Sequence, residues 1–234
     1  MGKLQRYILL KATVIAAAFL FFAQNASAFT SVMGGTLATP TVYEITITKV
    51  EFKNSNNVYV TFFSGSVPFD IASANPGGAV GAIGQSSTLP SGTYTEMRIT
   101  FSRTFGIVGS VADAGNGQPA RTDTGNPANQ TQGAVTNIGV AKPGAGTATK
   151  QSIPIPSGAS VTTILTNNNM EEVAGNQIRF TVPSSFSFTI SEENAVMPDL
   201  KMNFDVTNSI EFLGTAPGAA VVIPLPPDVS VTIG

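Results

Sequence analysis

The sequence predicts an all-β protein, an immunoglobulin-like or related antiparallel β-sandwich with long loops rich in Gly, Asn and Thr. Three observations lead there. After residue 28, apolar and polar residues alternate over many short stretches, the period of a half-buried strand. Clusters of Gly, Pro, Asn and Ser punctuate those stretches and read as turns. Helical spacing of apolar residues at i, i+3, i+4 and i+7 is not sustained anywhere after residue 28. Roughly ten short strands with turn signals between them suit a sandwich, and no repeat of fixed period intervenes.

The first 28 residues read differently. Lys3, Arg6 and Lys11 give a basic start, Ala12 to Ala23 is almost unbroken apolar sequence, and Ala26-Ser27-Ala28 is a small-x-small cleavage site. That order predicts a signal peptide over 1–28, removed after Ala28. Its apolar core is short for a bilayer of ~30 Å, which takes about 20 helical residues. No second run of that length follows, so no helical membrane span is expected after cleavage. Residues 29–234 are then expected to form a single domain. An exported chain is expected at the cell surface, outside the cell or in the periplasm.

Val42 to Lys53 is the clearest strand. Tyr43, Ile45 and Ile47 share one face; then the phase slips and Val50 and Phe52 carry the apolar side, as a β-bulge would produce. Asn54-Ser55-Asn56-Asn57 is a turn and Val58 to Phe63 the return strand of a hairpin. Ser64 to Ser91 reads mostly as loop. Thr93 to Arg103 is a strand with Met97, Ile99 and Phe101 on one face. Ala112 to Gly146 is the most loop-like region, with one short strand expected near Ala134 to Val140. Strands resume at Gln151–Ile155, Ser160–Leu165, Gln177–Val182, Ser185–Ile190, Leu200–Thr207, Ile210–Leu213, Ala220–Leu225 and Val229–Ile233.

Composition narrows the function. Cleavage would remove three of 12 basic side chains and none of 14 acidic ones, leaving a net charge of −5. An acidic chain without a basic cluster is a poor partner for nucleic acid or an anionic membrane. Charged residues make up 11% of the chain, against roughly 25% in ordinary globular proteins. Thr, Ser, Asn and Gln supply the polarity instead, a surface that resists contact with neighbours weakly.

Histidine, cysteine and tryptophan are all absent. Ser-His-Asp and Cys-His catalysis therefore cannot be built, and zinc, copper and haem lack their usual ligands. The acidic doublets Glu171-Glu172 and Glu192-Glu193 read as solvated turns rather than a glycosidase pair. An enzyme is not expected, nor a cofactor. Calcium is the one metal with a signal, at Asp113, Asn116 and Asp123 in a Gly-rich stretch that matches no EF-hand spacing. Asn129-Gln130-Thr131 has the form of a glycosylation sequon.

The C-terminus offers a second kind of site. Pro226-Pro227 breaks the chain, and Val229, Val231 and Ile233 then alternate with polar residues almost to the end. This strand either packs into its own sandwich or pairs with a neighbouring subunit. Phe29 to Pro40 is an equivalent candidate at the other end.

Two stretches resemble a bacterial secreted β-sandwich family of unknown function. They are Lys49-Val50-Glu51-Phe52 in the first strand and Leu89-Pro90-Ser91-Gly92-Thr93-Tyr94 with Arg98 after it, within residues 41–105. The resemblance implies the fold and carries no functional residues. Many members are lipoproteins, and this chain lacks the anchoring cysteine.

These readings lead to a non-enzymatic structural or adhesive surface protein, a self-associating subunit of a filament or matrix. The alternative is a secreted module binding carbohydrate or another surface ligand on loops 64–91 or 112–146.

Overall fold

A computed structural model describes residues 31–73, 89–128, 130–132, 135–182, 186–192 and 200–233. The segment 1–28, expected as a signal peptide, and the sequon asparagine Asn129 lie outside them. The described chain is an antiparallel β-sandwich with one short helix.

β1 (Thr36–Ala38) leads into β2 (Val42–Asn54), the spine of the first sheet. The predicted slip in β2 is a bulge: Ile47 faces Phe101 and Lys49 faces Thr100, so Thr48 is the extra residue. Its hydroxyl donates to the Thr100 carbonyl at 3.1 Å. Tyr43, Ile45 and Ile47 before the bulge, and Val50 and Phe52 after it, are all buried. The turn to β3 (Tyr59–Asp70) is closed by the Asn54 side chain, which accepts from the Asn56 and Val58 amides. Asn57 holds the left-handed conformation there, which Asn tolerates better than most residues. β3 runs past Phe63, so Ser64 to Asp70, expected as loop, is strand. Paired along β2, those residues satisfy backbone groups that a loop would leave to water.

β4 (Gly92–Ser102) and β5 (Thr104–Val108) are one line of chain kinked at Arg103. The buried Arg103 guanidinium donates to the Ile155 and Pro156 carbonyls and pairs with Glu172 at 2.9 Å. β6 (Ser110–Val111) precedes the loop-like region 112–146, which holds β7 (Ala120–Arg121), β8 (Gln130–Gln132) and β9 (Val135–Pro143); β9 is the short strand expected near Ala134 to Val140, and β7 and β8 were not expected. Ile138 and Ala141 of β9 are buried, so this stretch is part of the second sheet. β7 and β8, two and three residues long, are too short to show alternation in the sequence.

β10 (Gln151–Pro154) is followed by α1 (Ala159–Asn167), where a strand was expected over Ser160–Leu165. Thr and Val have poor helix propensity, but tertiary burial overrides it. Val161 and Leu165, four apart on one helix face, are both buried. The hydroxyls of Thr162, Thr163 and Thr166 donate to carbonyls four residues back.

β11 (Met170–Val173), β12 (Gln177–Thr181), β13 (Phe188–Ile190), β14 (Leu200–Asp205), β15 (Ile210–Ala216), β16 (Ala219–Pro224) and β17 (Asp228–Ile233) complete the chain. The first sheet has eight strands in the order β10-β5-β2-β4-β12-β11, with β3 on β2 and β13 on β4. The second has seven, β1-β15-β16-β9-β7-β6 with β8 on β9. The core holds both inner faces, including an aromatic group of Phe52, Tyr94 and Phe188 with ring centroids 5.3 to 6.3 Å apart.

The last four strands form one bent ribbon. β15 pairs β16 from Ile210 opposite Pro224, and β14 pairs β17 from Asp205 opposite Asp228. The bend falls at 206–209 on one side and 225–227, with Pro226-Pro227, on the other. The buried Tyr43 hydroxyl secures it, donating to the Leu225 carbonyl at 2.6 Å.

Candidate functional site: the two chain ends and the polar face

The N-terminal side of β1 is held by a single buried carboxylate. Glu211, in β15, is 0% exposed. A Glu is almost never found fully buried without partners. Its partners come from residues 31–35. Oε2 accepts the Val32 amide at 2.7 Å, and Oε1 accepts the Gly35 amide at 2.6 Å and the Ser31 hydroxyl at 2.5 Å. The Met33 amide is shared between the two oxygens at 3.1 and 3.2 Å. The segment curls as a nest of amides around the anion. Two glycines allow this. Gly34 has a φ of 77°, and a Cβ on Gly35 would lie 2.1 Å from the Phe212 carbonyl oxygen. After this clasp, β1 adds only three register pairs, Thr36 with Phe212, Leu37 with Glu211 and Ala38 with Ile210. None of its three residues is fully buried.

Sequence reasoning pointed to Phe29–Pro40 as a terminal strand but missed Glu211. The signal was a lone acid inside the apolar run Ile210-Glu211-Phe212-Leu213.

The C-terminal strand is held differently. Along β17, all six residues are in register with β14, from Asp205 opposite Asp228 to Leu200 opposite Ile233. Val231 is buried. Val229, with Phe204 and Pro227, faces Ile45, Ile99, Phe101, Phe105 and Phe180 across a dry gap of about 10 Å³. Thus Val229 and Val231 belong to this chain's own core, and Ile233 completes the pairing with β14. One pairing is unfavourable. Burial and the facing Asp205 both push the Asp228 carboxyl above the ordinary carboxylate range.

The calcium candidates fall in two separate turns. Asp113 Oδ1 accepts the amides of Gly115, Asn116 and Gly117 at 2.8, 3.1 and 2.9 Å, and these hold its carboxyl below the usual range. The Asn116 side-chain amide donates to the Ala216 and Ala219 carbonyls, tying the turn to the β15–β16 hairpin. Asp123 pairs with Lys142 at 2.9 Å and accepts the Gly125 amide; Lys142 chiefly lowers its pKa. Among the described residues, no three acidic side chains converge as a metal site would require.

The Glu171-Glu172 doublet lies in β11 rather than in a turn. Neighbouring strand residues point to opposite faces, and each Glu has its own arginine. Glu171 pairs with Arg179 and Glu172 with Arg103.

A polar concavity of about 520 Å³ opens on the outer face of β10, β5 and β2. Thr46, Ser102, Thr104, Thr124 and Ser152 line it with hydroxyls, and Glu44 and Lys150 form an ion pair across it at 3.2 Å. Its floor is Gly106, where a Cβ would crowd both Lys150 and Glu44 at 3.1 to 3.3 Å. Thr124 brings the predicted loop region 112–146 to this rim; the sheet hydroxyls were not anticipated. Phe105 also lines it but is 1% exposed, so it offers little ring surface for stacking.

Comparison with protein-family models, curated proteins and solved structures finds no match to this chain.

Proposed function

We propose that the protein is a non-enzymatic structural or adhesive protein of the cell exterior that self-associates through a terminal strand. The observation that supports this is β1. It is the last strand of its sheet, three residues long, and secured by a polar clasp together with apolar residues that are only partly buried. An edge strand held this way is suited to pairing between copies. The test is light scattering and electron microscopy of the processed protein over a range of concentrations. Growth of oligomers or filaments with concentration is expected; a monomer at every concentration would end the proposal.

The hydroxyl-lined concavity favours a second reading, a module that binds a neutral polyhydroxylated ligand such as a glycan. Its lining offers donors and acceptors with one charge of each sign, so a ligand there would be held by hydrogen bonds. Glycan-array binding that is lost in Lys150→Ala with Thr104→Val would support it, and an empty array would remove it.

A further inference from the structure

We infer that the occupant of the Glu211 groove in the assembled state is residues 31–38 of a second copy of this chain. This rests on the self-association proposed above and names its site, its lock and its partner.

The groove cannot stand empty without a penalty. Emptying it gives up the charge-assisted bonds from residues 31–35 and leaves the edge of β15 unpaired at Ile210–Phe212. The occupant must meet three demands at once. It must present a run of backbone amides curled around an anion, matching Val32, Met33 and Gly35. It must have no side chain at the point that approaches the Phe212 carbonyl, where Gly35 sits. It must then continue as a strand on Ile210, Glu211 and Phe212. Residues 31–38 satisfy all three, and a second copy carries an identical segment.

The link to β2 favours exchange. Only Thr39, Pro40 and Thr41 separate β1, in one sheet, from β2, in the other. Pro40 fixes its own φ and biases Thr39 toward extended backbone. A short link with an extended preference invites the arm to run straight out to a neighbour rather than fold back. Release of the arm uncovers the rim of the core rather than its centre: Val32, Met33, Leu37 and Ala38 pack against it but are only partly buried. By contrast, extraction of β17 would remove Val231 from the core.

The chain lacks cysteine and tryptophan, so labels can be placed freely. The experiment uses a chain lacking residues 29–38, a fluorescent peptide of residues 29–38, and the full processed chain with four Gly-Ser residues inserted after Thr39. The expected results are that the peptide binds the arm-deleted chain and that Gly35→Ala in the peptide weakens binding at least about tenfold, given the clash and the lost charge-assisted bond. In addition, lengthening the link in the full chain should shift oligomers toward monomer at equal concentration, because the arm then folds back freely while the clasp bonds, common to both states, are unchanged. If the arm-deleted chain does not fold, the lengthened-link measurement decides alone. Oligomers that persist unchanged with the lengthened link, or a peptide indifferent to Gly35→Ala, would overturn this inference while leaving self-association standing. A wild-type chain that never associates overturns both.

Discussion

Replacing Glu211 with Gln tests the clasp within a single folded chain. The substitution keeps shape and one acceptor oxygen but turns the other into an amide donor. The least damaging orientation puts the amide at the Oε2 position, where it faces the Val32 N–H at the 2.7 Å contact. That bond is lost outright, at about 1.5 to 3 kcal/mol for a hydrogen bond to a charged group. The bonds from Ser31, Met33 and Gly35 survive as weaker neutral ones. The expected loss is therefore about 3 kcal/mol. For a domain near 200 residues, each kcal/mol moves Tm by about 2 to 4 °C, so a fall of about 6 to 12 °C is expected in calorimetry of dilute protein. Glu171→Gln is the control. Its partner is Arg179 and its side chain is 56% exposed, and surface pairs of this kind contribute little. A Tm for Glu211→Gln within about 2 °C of wild type would refute the account of the clasp and the docking of β1 built on it.

Three further outcomes follow from named contacts. On the outer face of the first sheet, Glu51 is 5% exposed, with Lys49 at 2.7 Å and Arg98 at 2.8 Å. Burial would raise its pKa, but the hydrogen bonds from Arg98 and Lys49 outweigh this and hold it low. The stabilisation is present above the unfolded carboxylate pKa and fades as pH falls through the folded one. Denaturant titration of Arg98→Ala should therefore show a loss of about 2 to 3 kcal/mol at pH 7 that narrows in acid; an equal loss at both pH values would refute it. Asp228 has the opposite sign: its raised pKa means that stability present in acid is lost as pH rises through the folded value. Asp228→Asn should stabilise by a few tenths of a kcal/mol near neutrality and by nothing below about pH 3, read as the Tm difference across pH. Leu165→Ala should cost about 2 to 4 kcal/mol by creating a cavity under α1, whereas Thr163→Ala, on the exposed side, should be close to neutral; equal effects would refute the helix and its orientation.

Residues whose constraints are local were legible in the sequence. The slip between Ile47 and Val50 located a bulge because side-chain alternation cannot skip a face without an extra residue. The Asn-rich turn at 54–57 fixed its hairpin for the same local reason. What stayed hidden depends on distant partners. The helix 159–167 is made of β-formers and exists because Val161 and Leu165 find a core to bury in. β9 was legible as a short strand near Ala134 to Val140, but its place beside β16, with Val140 opposite Val221, was not. The alternation of Leu200 to Asp205 showed a strand, but nothing in it named Asp228–Ile233 as the partner. Glu211 showed only as a lone acid in an apolar run; its role was hidden because its donors lie 176 to 180 residues earlier.

The two ends of the described chain are secured by different physics, and this decides which can be exchanged. At the C-terminal end, β17 is held by six register pairs and by Val229 and Val231 facing the core. Removing it exposes apolar surface, so it leaves only when much of the sandwich opens. At the N-terminal end, directional bonds to one anion are joined by the partial burial of Val32, Met33, Leu37 and Ala38 at the rim of the core. Such bonds are satisfied equally by an identical segment from another molecule. Because the hydrogen bonds before and after are the same, exchange is nearly balanced in energy. The shortness and stiffness of the three-residue link at Thr39–Thr41 then tip the balance between closed monomer and assembled chain.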